Sequence, residues 1–345
     1  MPLWTDLIDA VEATGIARDE QYLIEQQKGG TLARYLPNVF VDSTYVEFFP
    51  GVSGLVDVAR YRAFNAPPEV GKGASVSRKT ITLPPISRTE PIDEMTQSQL
   101  ARLSDDRVRK SIEAAIRRNV QAISMRQELT RGILIEQGKV VVDTDNFWIN
   151  DDFGRNAALT VTAASLWSTA GVDRLTALNS WVTTYASYNN GATPGKIVMG
   201  ASAWAAFSSG SQFSTVLAGG ATRPGSKAEI TAYVEAQGLP PIEVYDRSVS
   251  VEGVTTKVLS SNKIYLLPEP VDPMDENGSL LGATYWGRTV SAGFESWSIE
   301  PDEQPGIVCG VFREESVGSA IEVQGDSLGE PVAVNANASM TVTVV

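Results

Sequence analysis

"MRQELTRGILIEQGKVVV", residues 125–142, decides how this chain folds, because its rhythm changes halfway through. Met125, Leu129 and Ile133 stand four apart, the spacing of one helix face. After Gly138 the run Lys139-Val140-Val141-Val142 is β-branched and suits a strand. Traced backwards, the apolar pattern continues through Val120, Ile116, Ile112 and Val108 to Ser104-Asp105-Asp106. Ser104 is a good N-cap, the two aspartates favour the positive end of a helix dipole, and Gly138 suits the C′ position. At about 1.5 Å per residue, a helix over 104–137 is ~50 Å long, far beyond the usual length. Its heptad pattern is not strict, so a helix lying across a sheet is expected rather than a coiled coil. Gly132 marks either a kink or a close approach.

The chain has 345 residues, enough for two domains or one elaborate one. No stretch reads as a transmembrane helix, and the opening Met1-Pro2-Leu3-Trp4-Thr5-Asp6 lacks the pattern of a signal peptide, so synthesis and folding in a cytoplasm are expected. The single cysteine, Cys309, lies in the apolar run Ile307–Val311 and reads as a buried spectator thiol. With 41 acidic and 28 basic residues the net charge is −13. Tight or sequence-reading DNA binding needs concentrated Lys and Arg, so that class is disfavoured, whereas a protein that merely surrounds nucleic acid is not.

Histidine is absent. That removes Ser-His-Asp and Cys-His catalysis and every His-containing metal site. Near-motifs fail one by one. Gly200-Ala201-Ser202-Ala203-Trp204 has Trp204 where a nucleophile elbow needs glycine. Gly191–Lys196 is one residue short of a phosphate loop, with Ile197 in place of the metal-binding hydroxyl. Asp275-Glu276-Asn277-Gly278 approaches a calcium loop, but Pro273 stands where its first carboxylate belongs. Asp151-Asp152 has the composition of a two-carboxylate glycosidase pair and no further support. Nothing points to an enzyme, a cofactor or a metal.

Along the chain, residues 1–53 read as an N-terminal arm with a short amphipathic helix (Leu3, Leu7, Ile8, Val11) and aromatic anchors, Tyr45, Phe48 and Phe49 among them, laid along its own surface or a neighbour's. Residues 54–92 read as a projecting hairpin: 55–64 outward, Pro67, Pro68, Gly71 and Gly73 at the tip, 77–83 returning. Neither strand has a clean apolar face, and a lone hairpin is marginal in water. Within 55–88, Arg60, Arg62, Lys72, Arg78, Lys79 and Arg88 make it locally basic against only Asp57 and Glu69, which suits docking on an acidic patch of another copy. Strands are expected within 139–165. Residues 166–304 switch to a compact α/β pattern. A helix is expected at 173–188 with Leu175, Leu178, Trp181, Val182 and Tyr185 on one face. A buried strand at 196–200 leads into a helix at 202–207, and further strands fall at 242–245 and 263–267. The remainder is β-rich, at 307–312, 320–323 and 340–345.

This order of parts resembles the major capsid proteins of tailed double-stranded-DNA bacteriophages, and more narrowly the major head protein family of phage lambda, with its Hong Kong 97-type fold. "MRQELTRGILIEQGKVVV", "NFWINDDFGRNAALTV", "PGKIVMGASAWAAF", "NKIYLLPEP" and "PVAVNANASMTV" carry the resemblance through their order and spacing. It implies an α+β fold: arm, extended loop, a peripheral domain of 93–165 and 305–345 around the spine helix, and an axial domain of 166–304. It also implies self-assembly through hexamers and pentamers into an icosahedral head around double-stranded DNA, with no membrane involved. Phe153-Gly154-Arg155 matches the family's Phe-Gly-Arg stretch, and Arg155 is expected in a structural ion pair. With Arg60, Arg62, Arg78, Lys79, Arg88, Tyr45, Phe48 and Phe49, it makes up the expected assembly residues. Only a short arm precedes the hairpin, so a separate scaffold protein is expected, alongside a portal and a decoration protein. Some relatives join neighbours by a Lys–Asn isopeptide bond; Lys72 and Lys79 lie on the right segment, but no motif marks one here. Two rival readings stay open: an encapsulin-like compartment shell, and a histidine-free carbohydrate-active enzyme using two carboxylates.

Overall fold

The spine helix forms at Asp105–Gln137, 33 residues long, and the rest of the chain is laid against it. The computed structural model describes residues 3–26, 31–48, 78–101, 105–144, 147–169, 171–216, 222–314 and 320–345. Val108, Ile112, Ala115, Ile116, Val120 and Ile123 form the buried face of the first half of the helix. Beyond Ile123 the inward positions are Gln127, Glu128, Thr130, Arg131, Leu134 and Ile135. Met125 is exposed, and Leu129 and Ile133 are only partly covered. A row taken at every fourth position drifts round a helix of about 3.6 residues per turn, so the row expected to face inward winds off the core. Gly132 is a close approach: a Cβ there would run into the carbonyl oxygen of Val258. Gly138, at φ +72°, ends the helix in the left-handed conformation.

One long strand, Ile321–Val332, organises the first sheet. It pairs antiparallel with Val308–Arg313, Ala283–Gly287 and Pro85–Ile92, and Asn38–Phe40 adds parallel to Ala283–Gly287. Spine-helix side chains are hydrogen-bonded to this strand: Asn119 Nδ2 donates to the Val323 carbonyl (2.9 Å) and Gln127 Nε2 to that of Gly329 (2.7 Å). The second sheet runs in the order Ile242–Val244, Lys196–Met199, Lys263–Leu267, Met340–Thr343, Thr160–Thr162. Around it pack helices Arg174–Tyr188, Ala201–Ser208 and Lys227–Ala236, through Leu178, Phe207, Ile230 and Val234. Trp167, Phe207 and Phe213 form an aromatic row, with centroids 5.2 and 4.7 Å apart.

Three expectations are corrected. The opening segment is built into the core rather than lying loosely on a surface. Its helix is Ala10–Glu25, capped by Asp9, and packs through Ala13, Ala17 and Ile24 against the spine helix and Cys309. Leu32, Tyr35 and Leu36 are fully buried. The hairpin does not end as a free arm at 92: Lys79–Thr82 pairs with Tyr45–Phe48, and Pro85–Ile92 is a sheet strand. Residues 49–77, which include the end of the expected arm and most of the expected hairpin, lie outside the described residues. Finally, the sheets do not divide at 165 and 305. Ala283–Gly287 belongs to the first sheet and the closing strand Met340–Thr343 to the second, because each completes the hydrogen bonding of an otherwise open neighbour. Cys309 is buried, and burial pushes its thiol up to about 12, as a spectator requires.

Candidate assembly surface

A buried polar node joins several elements to the spine helix. Arg131, fully buried on the spine helix, donates from Nη1 to Glu25 (2.9 Å) and Glu128 (3.3 Å), from Nη2 to Asn38 (2.6 Å) and from Nε to Thr284 (2.8 Å). Glu128 also accepts from the Leu32 amide (2.9 Å) and the Tyr245 hydroxyl. Trp286 Nε1 donates to Asn38 (2.8 Å). One guanidinium thus ties the N-terminal helix, strand Asn38–Phe40, the first sheet and, through Glu128 and Tyr245, the end of strand Ile242–Val244 to the spine. Burial opposes the Arg131 charge, but the carboxylates of Glu25 and Glu128 more than offset this and raise its pKa. Desolvation pushes Glu128 above the ordinary carboxylate range although Arg131 pulls it down.

A second fixture closes the helix C-terminus. Arg155 donates to the carbonyl oxygens of Ile135 and Glu136 (both 2.6 Å) and to the Ser339 hydroxyl (3.2 Å). The expected ion pair is therefore corrected. Its guanidinium serves the orphan carbonyls at the negative end of a long dipole. Burial lowers its pKa to about 10, with Glu136 opposing. Glu136 itself accepts from Lys263, Ser260 and Tyr265; burial opposes its charge, but Lys263 and Ser260 outweigh that and lower its pKa.

Of the remaining expected assembly residues, Tyr45, Phe48 and Lys79 lie on the strand pair Tyr45–Phe48 and Lys79–Thr82, Arg78 immediately precedes it, and Arg88 lies in the strand Pro85–Ile92. Tyr45 is exposed; Phe48 is buried, its ring 6.1 Å from that of Phe153. Arg78 pairs with Glu47 across the two strands and stays largely in water. Lys79 donates to the Asp152 carbonyl and lies over the Phe153 ring, 5.2 Å from its centroid. Arg88 is exposed, in register with Gly325. Arg60, Arg62 and Phe49 lie outside the described residues. Tyr45 and Lys79 thus lie at opposite ends of one strand pair, with Arg78 beside Lys79, while Phe48 and Arg155 turn inward.

The sequence reading missed the second hairpin, Lys139–Thr144 with Phe147–Asp152, which puts Trp148 into solvent at 67% exposure beside the partly exposed Phe147. Its signal was present: Phe147-Trp148-Ile149 cannot send three consecutive large side chains to one face of a strand. Nor did it single out the loop beside Tyr45, where Val290 is 74% and Phe294 54% exposed around a depression rimmed by Asp42 and Arg288. Tyr45, Trp148, Val290 and Phe294 are thus large apolar side chains left in water. Among the described residues, no group of three or more Cys, Asp or Glu side chains is arranged to hold a metal ion, and no helix is long and apolar enough to cross a membrane.

A family model described as phage major capsid protein E matches residues 32–274. No curated protein matches the chain. Among solved structures, a prophage protein of E. coli CFT073, named there as a capsid protein, superposes with a TM-score of 0.66 at 13% identity, over 98% of this chain and 99% of its own. A phage-related protein of Bordetella bronchiseptica RB50 gives 0.54 at 12% identity, over 96% and 94%. At such identities these two establish the fold, an α+β arrangement of the Hong Kong 97 type. With the matched sequence covering most of its length, this chain belongs to the phage major capsid protein E family and is a structural protein of a phage head.

Proposed function

We propose that copies of this chain join through hexamers and pentamers into the icosahedral head of a tailed phage, assembled in the bacterial cytoplasm around or ahead of double-stranded DNA. The observation that carries this is the set of solvent-exposed apolar groups on separate elements: Tyr45 on the strand Tyr45–Phe48, Trp148 on the strand Phe147–Asp152, and Val290 and Phe294 on their loop. Several modest contacts per copy, repeated many times, give a closed shell without any single tight pair. In this reading the first sheet with the spine helix forms the peripheral part of the tile. The second sheet with its three helices forms the axial part at the capsomer centre. Basic residues of the 54–92 segment, Arg60, Arg62, Arg78, Lys79 and Arg88, dock on neighbouring copies, and Tyr45 and Phe49 add apolar contact. The net charge of −13 suits a wall that confines DNA without gripping it. A separate scaffold protein, a portal and a decoration protein complete the particle.

Expression alone and with the neighbouring phage genes, followed by negative-stain electron microscopy, tests the proposal. Closed polyhedral shells, capsomer rings or sheets are the expected products. Discrete monomers or dimers under both conditions would overturn it.

A further inference from the structure

Glu330 is a carboxyl group with no donor. It sits in the long strand Ile321–Val332 and is completely buried, and neither side-chain oxygen finds a hydrogen-bond donor. Buried carboxylates are almost always satisfied, so such a group needs an explanation. The charged and titratable groups facing it come from each element packed around it. Asp151 comes from the strand Phe147–Asp152, and Lys79 from the strand Lys79–Thr82. Arg126 of the spine helix shares with it the lining of a recess of about 260 Å³, and Tyr285 is its partner in register on the neighbouring strand. Lys79 is already engaged by the Asp152 carbonyl and the Phe153 ring. Within hydrogen-bonding reach of Glu330 stands another carboxyl, Asp151. Two carboxylates cannot hydrogen-bond to each other; a carboxylic acid and a carboxylate can.

We propose that Glu330 and Asp151 share one proton at neutral pH, and that this acid–carboxylate bond is a pH-sensitive pin fastening the hairpin Lys139–Thr144/Phe147–Asp152 to the central strand. The electrostatics agree: desolvation first, then the neighbouring Asp151 charge, push Glu330 up to about 8, with Lys79 pulling the other way. The sign follows. An acid whose pKa is raised in the closed state keeps a proton that the opened state has lost. The pin is therefore fully made at acid pH, weakens as pH rises above the ordinary carboxylate range, and is lost as pH passes about 8. Because that hairpin displays Phe147 and Trp148, alkaline pH frees the element that presents them.

Two measurements on the full-length unassembled subunit test the pin. Infrared difference spectra of wild type against Glu330→Gln, taken across the pH range, should show a neutral carboxylic-acid carbonyl band at pH 7 that disappears with a midpoint near 8. No such band at neutral pH would overturn the shared proton. Asp151→Asn supplies Glu330 with a donor and should move the midpoint down towards the ordinary carboxylate range; an unmoved midpoint would show that Asp151 is not the partner. For the hairpin, the rate of proteolytic cleavage within 139–152 in wild type, divided by that in Glu330→Gln, should rise with pH by up to about tenfold per unit and level off above about 8. A ratio flat with pH would overturn the pin even if the proton is there.

Discussion

Replacing Arg131 by methionine removes one guanidinium and leaves two carboxylates, Glu25 and Glu128, buried without it. Breaking a buried ion pair from one side costs about 3–5 kcal/mol. Here the remaining hydrogen bonds decide where in that range the loss falls. Glu128 keeps the Leu32 amide and the Tyr245 hydroxyl, and Glu25 keeps the Thr31 hydroxyl. Asn38 still accepts from Trp286, and the Thr284 hydroxyl still donates to the Leu36 carbonyl. Methionine refills most of the arginine stem, so little packing is lost. The expected cost is therefore about 3 kcal/mol, roughly a hundredfold in the folding equilibrium. Urea unfolding of the unassembled subunit, followed by circular dichroism, measures it. The deficit should also depend on pH. Without Arg131, Glu128 loses the attraction that offsets its desolvation, so its native pKa climbs further above the ordinary 4.5. The variant then holds a proton in the native state that the unfolded chain has released, and its deficit grows from acid to neutral pH. Adding Glu25→Gln should recover part of the loss. A single Arg131→Met variant within about 1 kcal/mol of wild type at pH 7 would refute the node as the anchor of the N-terminal segment.

Three further outcomes are expected. Arg155→Ala should cost about 2 kcal/mol by exposing the last carbonyls of the spine helix, read as a lower urea midpoint; an unchanged midpoint would mean those carbonyls find other donors. Gly132→Ala should destabilise by about 1–3 kcal/mol, since the new methyl meets the Val258 carbonyl and the two backbones must separate; a neutral result in the same assay would show that the contact yields freely. Trp148→Ser should leave subunit stability within about 0.5 kcal/mol, because the ring is mostly in solvent, yet lower the yield of closed shells counted by electron microscopy. Equal shell yield would remove Trp148 from the assembly surface.

Much of the frame was legible because it is local. The spine helix, its end at Gly138, the helix at Arg174–Tyr188 and the buried strand Lys196–Met199 each follow from a few neighbouring residues. The candidate surface was legible only in part. Basic residues of the 55–88 segment could be picked out as a charge cluster, but whether a given aromatic faces inward or outward depends on what covers it. Phe48 turned in against Phe153, while Trp148 stayed out. Arg155 was singled out through a motif, with the wrong partner, because the carbonyls it serves carry no signature in side-chain sequence.

Length, periodicity, capping residues, the missing histidines and the acidic balance determined that one long helix runs into β-strands in this chain, without histidine-based chemistry. These properties depend on composition or on contacts a few residues apart. Only the tertiary structure decided that Pro85–Ile92 joins Ile321–Val332, that the closing strand crosses to the second sheet, and that Arg131 gathers Glu25, Asn38, Glu128 and Thr284 around one buried charge. It alone placed Glu330 within reach of Asp151. Such pairings join residues far apart in the chain. Their free energy comes from desolvation and from hydrogen bonds completed in three dimensions, which no local pattern records.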